Sequence, residues 1–182
     1  MEYVQGNAAS GARRSGGAGS AAGGGRTGEA AGGEGGGGGA LSVRGLPLGK
    51  PPYERLTAID LDRGDILWQI AHGETPDNVR NHPALKGLNI PRTGRSGTIG
   101  TVVTKTLVIA GEAGYFTTPS GVRGAMLRAY DKGTGKEVGA VYMPAPQSGS
   151  PMTYMLNGKQ YIVVAISGGS YSAELLAFRL PD

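Results

Sequence analysis

From Pro51 onward, apolar positions fall in short runs separated by Gly, Asp, Asn and Pro, the spacing of strands joined by turns. This pattern predicts strands at RLTAID (55–60), DILWQI (65–70), KTLVIAG (105–111), AMLRAYD (125–131), EVGAVYM (137–143), PMTYML (151–156), KQYIVVAI (159–166) and ELLAFRL (174–180). No segment sustains a helical repeat of apolar residues over three turns. The connectors DRGD (62–65), KGTG (132–135) and NGK (157–159) carry residues that tolerate positive φ or bond to their own backbone, so each predicts an antiparallel hairpin. Residues 71–100 are the exception and read as one long irregular loop, a length that in compact domains usually serves function or covers another element.

Two hairpins share one wording. Ala58, Asp60, Gly64 and Trp68 spell A-x-D-x-x-x-G-x-x-x-W, and Ala129, Asp131 and Gly135 repeat it with Gly139 in place of the tryptophan. The strands between the two copies make about one four-stranded unit, and repetition at that period argues for a propeller or a similar array of antiparallel sheets. Two coincidental hairpins in an ordinary sandwich remain the alternative. In the propeller reading the small alanine lets sheets approach, Asp and Gly shape the turn, and Trp covers the seam between units.

Composition divides the chain. Its 35 glycines crowd toward the N-terminal quarter, where residues 1–45 hold almost no large apolar side chain and cannot offset the backbone entropy of ordering. Residues 1–45 are therefore expected to be a disordered glycine-rich segment, and residues 46–182 to hold the fold. The net charge of +4 forms no basic stripe with interleaved aromatics, so no nucleic-acid partner is expected. The chain has no cysteine, which excludes disulfides and thiolate metal sites. The opening MEYVQGNAAS lacks the positive start and apolar run of a signal peptide, and no apolar segment reaches the roughly 20 residues of a transmembrane helix.

The wording then becomes more specific than the period. The A-x-D-x-x-x-G-x-x-x-W motif resembles the tryptophan-docking motif of quinoprotein dehydrogenases. The segments LPLGKPPYERLTAIDLDRGDILWQ, RNHPALKGLNIP, TKTLVIAGE, LRAYDKGTGKEV and PMTYMLNGKQYIVVAISGG followed by ELLAFRLPD resemble, in unbroken order, the C-terminal part of the glucose, quinate and shikimate dehydrogenase branch. The resemblance implies about two blades of an eight-bladed β-propeller: the last two strands of one blade, four of the next and three of the final one. It implies pyrroloquinoline quinone (PQQ) and Ca²⁺ in the complete enzyme, neither expected to bind this chain alone. It also implies a periplasmic parent, a sugar or alcohol substrate, and the missing propeller blades as partners. In that family the Asp base, the calcium ligands and the residues at the quinone come from earlier blades, so no catalytic residue is assigned here. A histidine that follows the final Gly-Gly in the membrane-bound glucose enzymes is replaced by Ser170 after Gly168 and Gly169. A second reading, from a different class, is a non-catalytic β-repeat module that binds a protein through open sheet edges.

Individual side chains add modest candidates. Asp77, Arg80 and Asn81 suit either the rim of a substrate mouth or loop-internal hydrogen bonds with a surface ion pair. Ser170 and Tyr171, in GGSYSAE (168–174), close the last hairpin and by resemblance lie near the channel for cofactor and substrate. His72 and His82 have no third ligand nearby and read as residues of a solvated loop rather than a metal site. GRSGTIG (94–100) lacks the terminal Lys and Ser or Thr of a phosphate loop and reads as the glycine-rich lead-in to an inner strand.

Overall fold

A computed structural model describes residues 41–118 and 120–179. The expectation of disorder over residues 1–45 falls almost wholly outside them. Residues at its C-terminal end are paired: β1 (Ser42–Val43) lies antiparallel to β2 (Leu46–Pro47).

All eight anticipated strands form. β3 (Arg55–Ile59) and β4 (Ile66–Ala71) make a hairpin. β5 (Thr101–Val103), β6 (Leu107–Gly111), β8 (Arg123–Asp131) and β9 (Glu137–Met143) make a four-stranded antiparallel sheet in that order. The short β7 (Phe116–Thr117), which the pattern did not announce, pairs with the start of β8. β10 (Met152–Leu156), β11 (Lys159–Gly168) and β12 (Tyr171–Arg179) make the last sheet. The grouping of two, four and three strands is that of a partial propeller: the end of one blade, a complete blade and most of another. The turn between β10 and β11 places Asn157 at φ 50° and Gly158 at φ 75°, the conformation that the Asn-Gly pair favours in a two-residue hairpin.

The two repeat copies are built alike. Ala58 sits opposite Trp68 and Ala129 opposite Gly139, each with a register shift just after the alanine. The Asp60 side chain accepts hydrogen bonds from the backbone N–H of Asp62 and Arg63, and the Asp131 side chain accepts from Thr134 N–H and Oγ1. Gly64 N–H donates to Asp60 O and Gly135 N–H to Asp131 O, with both glycines at positive φ. The aspartates are turn formers, not an acid–base pair.

The central strand β8 shows why the sheets stack. Ala125 and Leu127 on one face join Ile109, Met143, Ile162, Val164 and Ile166 in one apolar core shared by the central and last sheets. On the other face Arg128 and Tyr130, both buried, meet residues that follow the β3–β4 hairpin. A strand buried on both faces by opposite chemistries is suited to a position between two sheets.

The long connection from 71 to 100 departs from expectation. It contains a helical turn, α1 (Asp77–Arg80), and a 3₁₀ turn at Pro83–Leu85. Each spans about one turn, too short to register as a helical period. His72, expected in solvent, is fully buried: its ring is bonded to Tyr130 Oη and Gly111 O of the central sheet, and Arg95 N–H donates to His72 O.

Candidate functional site

The loops after β4, β6, β9 and β11 gather at one end of the sheets. Gln147 ties them together: its side-chain oxygen accepts from Gly111 N–H at 2.6 Å, its amide donates to Gly100 O at 2.8 Å, and its backbone N–H donates to Glu112 O. Tyr115 Oη donates to Gly168 O at 2.7 Å, and the Arg123 guanidinium lies 4.4 Å from the Tyr115 ring centre. Small residues permit the crowding; a Cβ on Gly97 would come within 2.0 Å of Ala113 Cβ.

Beneath these loops lies a charged layer centred on Arg128, whose side chain is 3% exposed. It donates to Glu112 Oε1 (2.8 Å from Nε), to Glu74 Oε1 (2.8 Å) and to Glu137 Oε1 (3.0 Å). Arg92 pairs with Glu74 and Glu137, and Arg80 with Glu74. Burial alone would lower the Arg128 pKa, but Glu112, Glu137 and Glu74 outweigh it and hold the guanidinium above its ordinary value. Burial pushes the Glu112 carboxyl up despite Arg128. Burial also acts to raise Glu74, yet Arg92, Arg80 and Arg128 bring it below the usual carboxylate range. His72 lies against the same layer: Nε2–H donates to Gly111 O at 3.0 Å, so Nδ1 accepts from Tyr130 Oη at 2.8 Å. Burial lowers its pKa.

Within and beside this layer some buried polar atoms lack partners. Arg95 Nε and Nη2, Glu54 Oε2 and Glu112 Oε2 are buried without a hydrogen-bond partner. Burial, and secondarily the Glu112 charge, raises the Glu54 carboxyl to about 7. Burial lowers the Arg95 guanidinium below its ordinary value.

The residues singled out from sequence distribute as follows. The Asp77 carboxylate accepts from Thr117 N–H and Oγ1, and Arg80 is held by Glu74. Asn81 ends α1, its N–H donating to Asp77 O. Ser170 is exposed, and Tyr171 Oη donates to Glu174 Oε2 at 2.8 Å. His82 caps the 3₁₀ turn through Nδ1 and donates from Nε2 to Arg44 O. Trp68 reaches the second copy: its Nε1–H donates to Lys132 O at 2.9 Å in that copy's turn, and its ring covers Gly135, where a Cβ would stand 2.7 Å from the indole. It is half-buried rather than enclosed.

Sequence reasoning passed over Glu54, Arg95, Glu112 and Arg128. Arg128 carried a readable signal, a charge inside an apolar strand at a position alternating with Leu127, and Glu112 directly follows the apolar run LVIAG. Glu54 and Arg95 carry none, because only the fold brings residues 41 apart in sequence (95 − 54) to one place.

One complete four-stranded sheet between a two-stranded and a three-stranded one, an interlocking Trp–Gly seam and loops collected at one end are the features of a partial β-propeller. Residues 8–162 match the PQQ family described as "Glucose/ethanol/alcohol dehydrogenase, beta-propeller domain", and the chain belongs to that family. It is 33% identical over 154 residues to a probable quinate dehydrogenase (quinone) of Xanthomonas campestris pv. juglandis, covering 78% of this chain and 18% of that protein. It is 31% identical over 147 residues to quinoprotein glucose dehydrogenase A of Acinetobacter calcoaceticus, covering 78% and 17%. Among solved structures, the quinohemoprotein alcohol dehydrogenase of Comamonas testosteroni aligns with a TM-score of 0.43 and 24% identity over 66% of this chain and 13% of that one. The chain thus spans under a fifth of the length of the curated relatives it matches.

PQQ is a tricarboxylate, and the unpaired N–H edge of Arg95 fits a carboxylate. Among the described residues no group of three or more His, Cys, Asp and Glu is placed to hold a metal.

Proposed function

We propose that the chain supplies the closing blades of a PQQ-dependent dehydrogenase that oxidises a sugar or alcohol, and that it does not turn over substrate without the remaining blades. The observation that carries the reading is the docking of Trp68 onto the Lys132–Gly135 turn, in a chain matched by the PQQ propeller family over most of its length. When bound, the quinone supplies the two-electron acceptor for hydride removal from the alcohol carbon.

The role of the described residues is framework and rim. The Arg128 layer fixes the 71–100 connection over the central sheet, and Gln147 and Tyr115 fix the loops at the end where a propeller's axial channel opens. Catalysis needs base, metal and cofactor held together within a fraction of an ångström, which a chain of this share of the relatives' length supports only in company. Apolar side chains left exposed on the strands, among them Ile66, Leu67, Val138, Val141 and Leu175, are surfaces for neighbouring blades to cover. The complete enzyme is assigned to the periplasm with the family it resembles; no helix among the described residues is long and apolar enough to cross a membrane.

A dye-coupled assay with quinone, Ca²⁺ and a panel of aldoses, polyols and alcohols tests both halves of the reading. The purified chain alone should give no turnover, and addition of the remaining blades should restore it. Turnover of about 1 per second or more by the chain alone would show that it is catalytically complete. A completed propeller inactive on the whole panel would overturn the dehydrogenase reading.

A further inference from the structure

We propose that Arg95 is an anion-binding residue at the loop-bearing end of this chain, and that the group it takes is a carboxylate brought by a ligand. Nε and Nη2 form one edge of the guanidinium, the edge that receives a carboxylate through two parallel hydrogen bonds. Both atoms are buried and neither has a partner.

The chain's own carboxylates do not fill this edge. Ion pairs join Arg80, Arg92 and Arg128 to Glu74, Glu112 and Glu137, and none of these includes Arg95. Glu112, whose charge acts on Arg95, retains a buried unpaired oxygen of its own, yet it forms no ion pair with Arg95. Leaving charged donors buried and unmatched is costly, so a fork held in this state by packing is set for a partner from outside.

Packing holds it firmly. The backbone is pinned to His72 O, and the side chain lies across Gly114, where a Cβ would stand 2.5 Å from Arg95 Cδ and 3.2 Å from Nη1. The neighbouring segment carries Tyr115 and Arg123, and the latter's charge acts on Arg95, as does that of Arg80. Asp77 and Glu112 act in the opposite sense, so the surroundings are not strongly positive. That balance suits a singly charged carboxylate better than a phosphate dianion. Two sources share the chemistry: a carboxylate of the quinone, which rests on the PQQ reading above, and a free organic acid.

The Nε–H resonance of Arg95 in the full chain, assigned by its disappearance in Arg95→Lys, reads occupancy without any turnover. Titration with benzene-1,3,5-tricarboxylate should shift it saturably at millimolar concentrations, whereas the trimethyl ester should leave it unmoved. Arg95→Gln should abolish binding measured by calorimetry, and Arg95→Lys should weaken it at least tenfold, because a point donor replaces a fork. Unchanged melting of Arg95→Gln separates lost binding from lost folding. An unmoved resonance, an equal response to the ester or to phosphate, or an exchange signature of ordered water only would each overturn the proposal. A shift with PQQ in the completed propeller assigns the carboxylate to the quinone; a shift with the tricarboxylate but not PQQ assigns it to a free acid. Either result stands apart from the dye-coupled assay, which alone tests the dehydrogenase reading.

Discussion

The central sheet has two flanks, and they are held by different physics. Toward the last sheet it presents Ile109, Ala125, Leu127 and Met143 to Ile162, Val164 and Ile166, a dry apolar seam. Toward the β3–β4 hairpin it presents Arg128 and Tyr130 to Glu74 and His72, with Trp68 bridging to Lys132. The apolar seam draws on burial alone and tolerates exchange among side chains of similar volume. The polar seam has little such tolerance, since every charge in it relies on a partner, and that also makes it the flank able to fix loop positions. The loops it fixes are those at the candidate site.

If this contrast is right, the largest effect should follow from breaking the polar flank at its centre. Arg128→Met strands Glu112 and should cost about 3–5 kcal/mol in chemical denaturation. Adding Glu112→Gln, which removes the buried charge left behind, should recover part of that loss. A double variant no better than the single would show that Arg128 acts through packing rather than charge.

Next in size is the tryptophan seam. Trp68→Ala should cost about 2–3 kcal/mol, below the roughly 3–5 kcal/mol of an enclosed tryptophan because the residue is not fully covered. Gly135→Ala should cost about 1–3 kcal/mol, through the clash with the same ring and a φ of 72° that alanine resists. The two losses should not add, since both break one contact.

A smaller effect should appear in the pH dependence. Glu54 is raised to about 7 by burial and then by Glu112, from an ordinary 4.5, so the folded chain binds this proton more tightly than the unfolded one. Stability should therefore fall as pH climbs from about 4.5 to 7 and stay lowered above it. Glu54→Gln should raise stability at pH 8 by on the order of 1–3 kcal/mol and change little at pH 5. His72 opposes it: with its pKa lowered by burial, its contribution is lost as pH falls below about 6.5. Equal effects of Glu54→Gln at both pH values would mean that the carboxyl is not titrating in the fold.

The smallest effect should be at Gly139, the second copy's counterpart of Trp68. A Cβ there meets nothing within 4 Å, so Gly139→Ala should stay within about 0.5 kcal/mol. A larger loss would reveal a covering surface on this side of the chain.

The sequence by itself determined the strands, the turns and the repeat, because each is written locally: alternation fixes a strand's faces, Asp and Gly fix a turn, and Trp68 with its partner glycine fixes a seam. The family, too, was legible in segments that run in order. What only the tertiary structure decided is the charged layer and the unpaired fork at its edge. Glu54, Glu74, Glu112, Arg95 and Arg128 come from five separate places in the chain, and nothing in their neighbours announces that they meet. His72 makes the point most plainly, since its polar surroundings in sequence suggested solvent, while in the fold its ring is buried against Gly111 and Tyr130, 39 and 58 residues away. Local chemistry sets how a segment folds; which side chains lose their water is set by the packing of segments distant in sequence, and on that loss the pKa shifts and the unpaired groups depend.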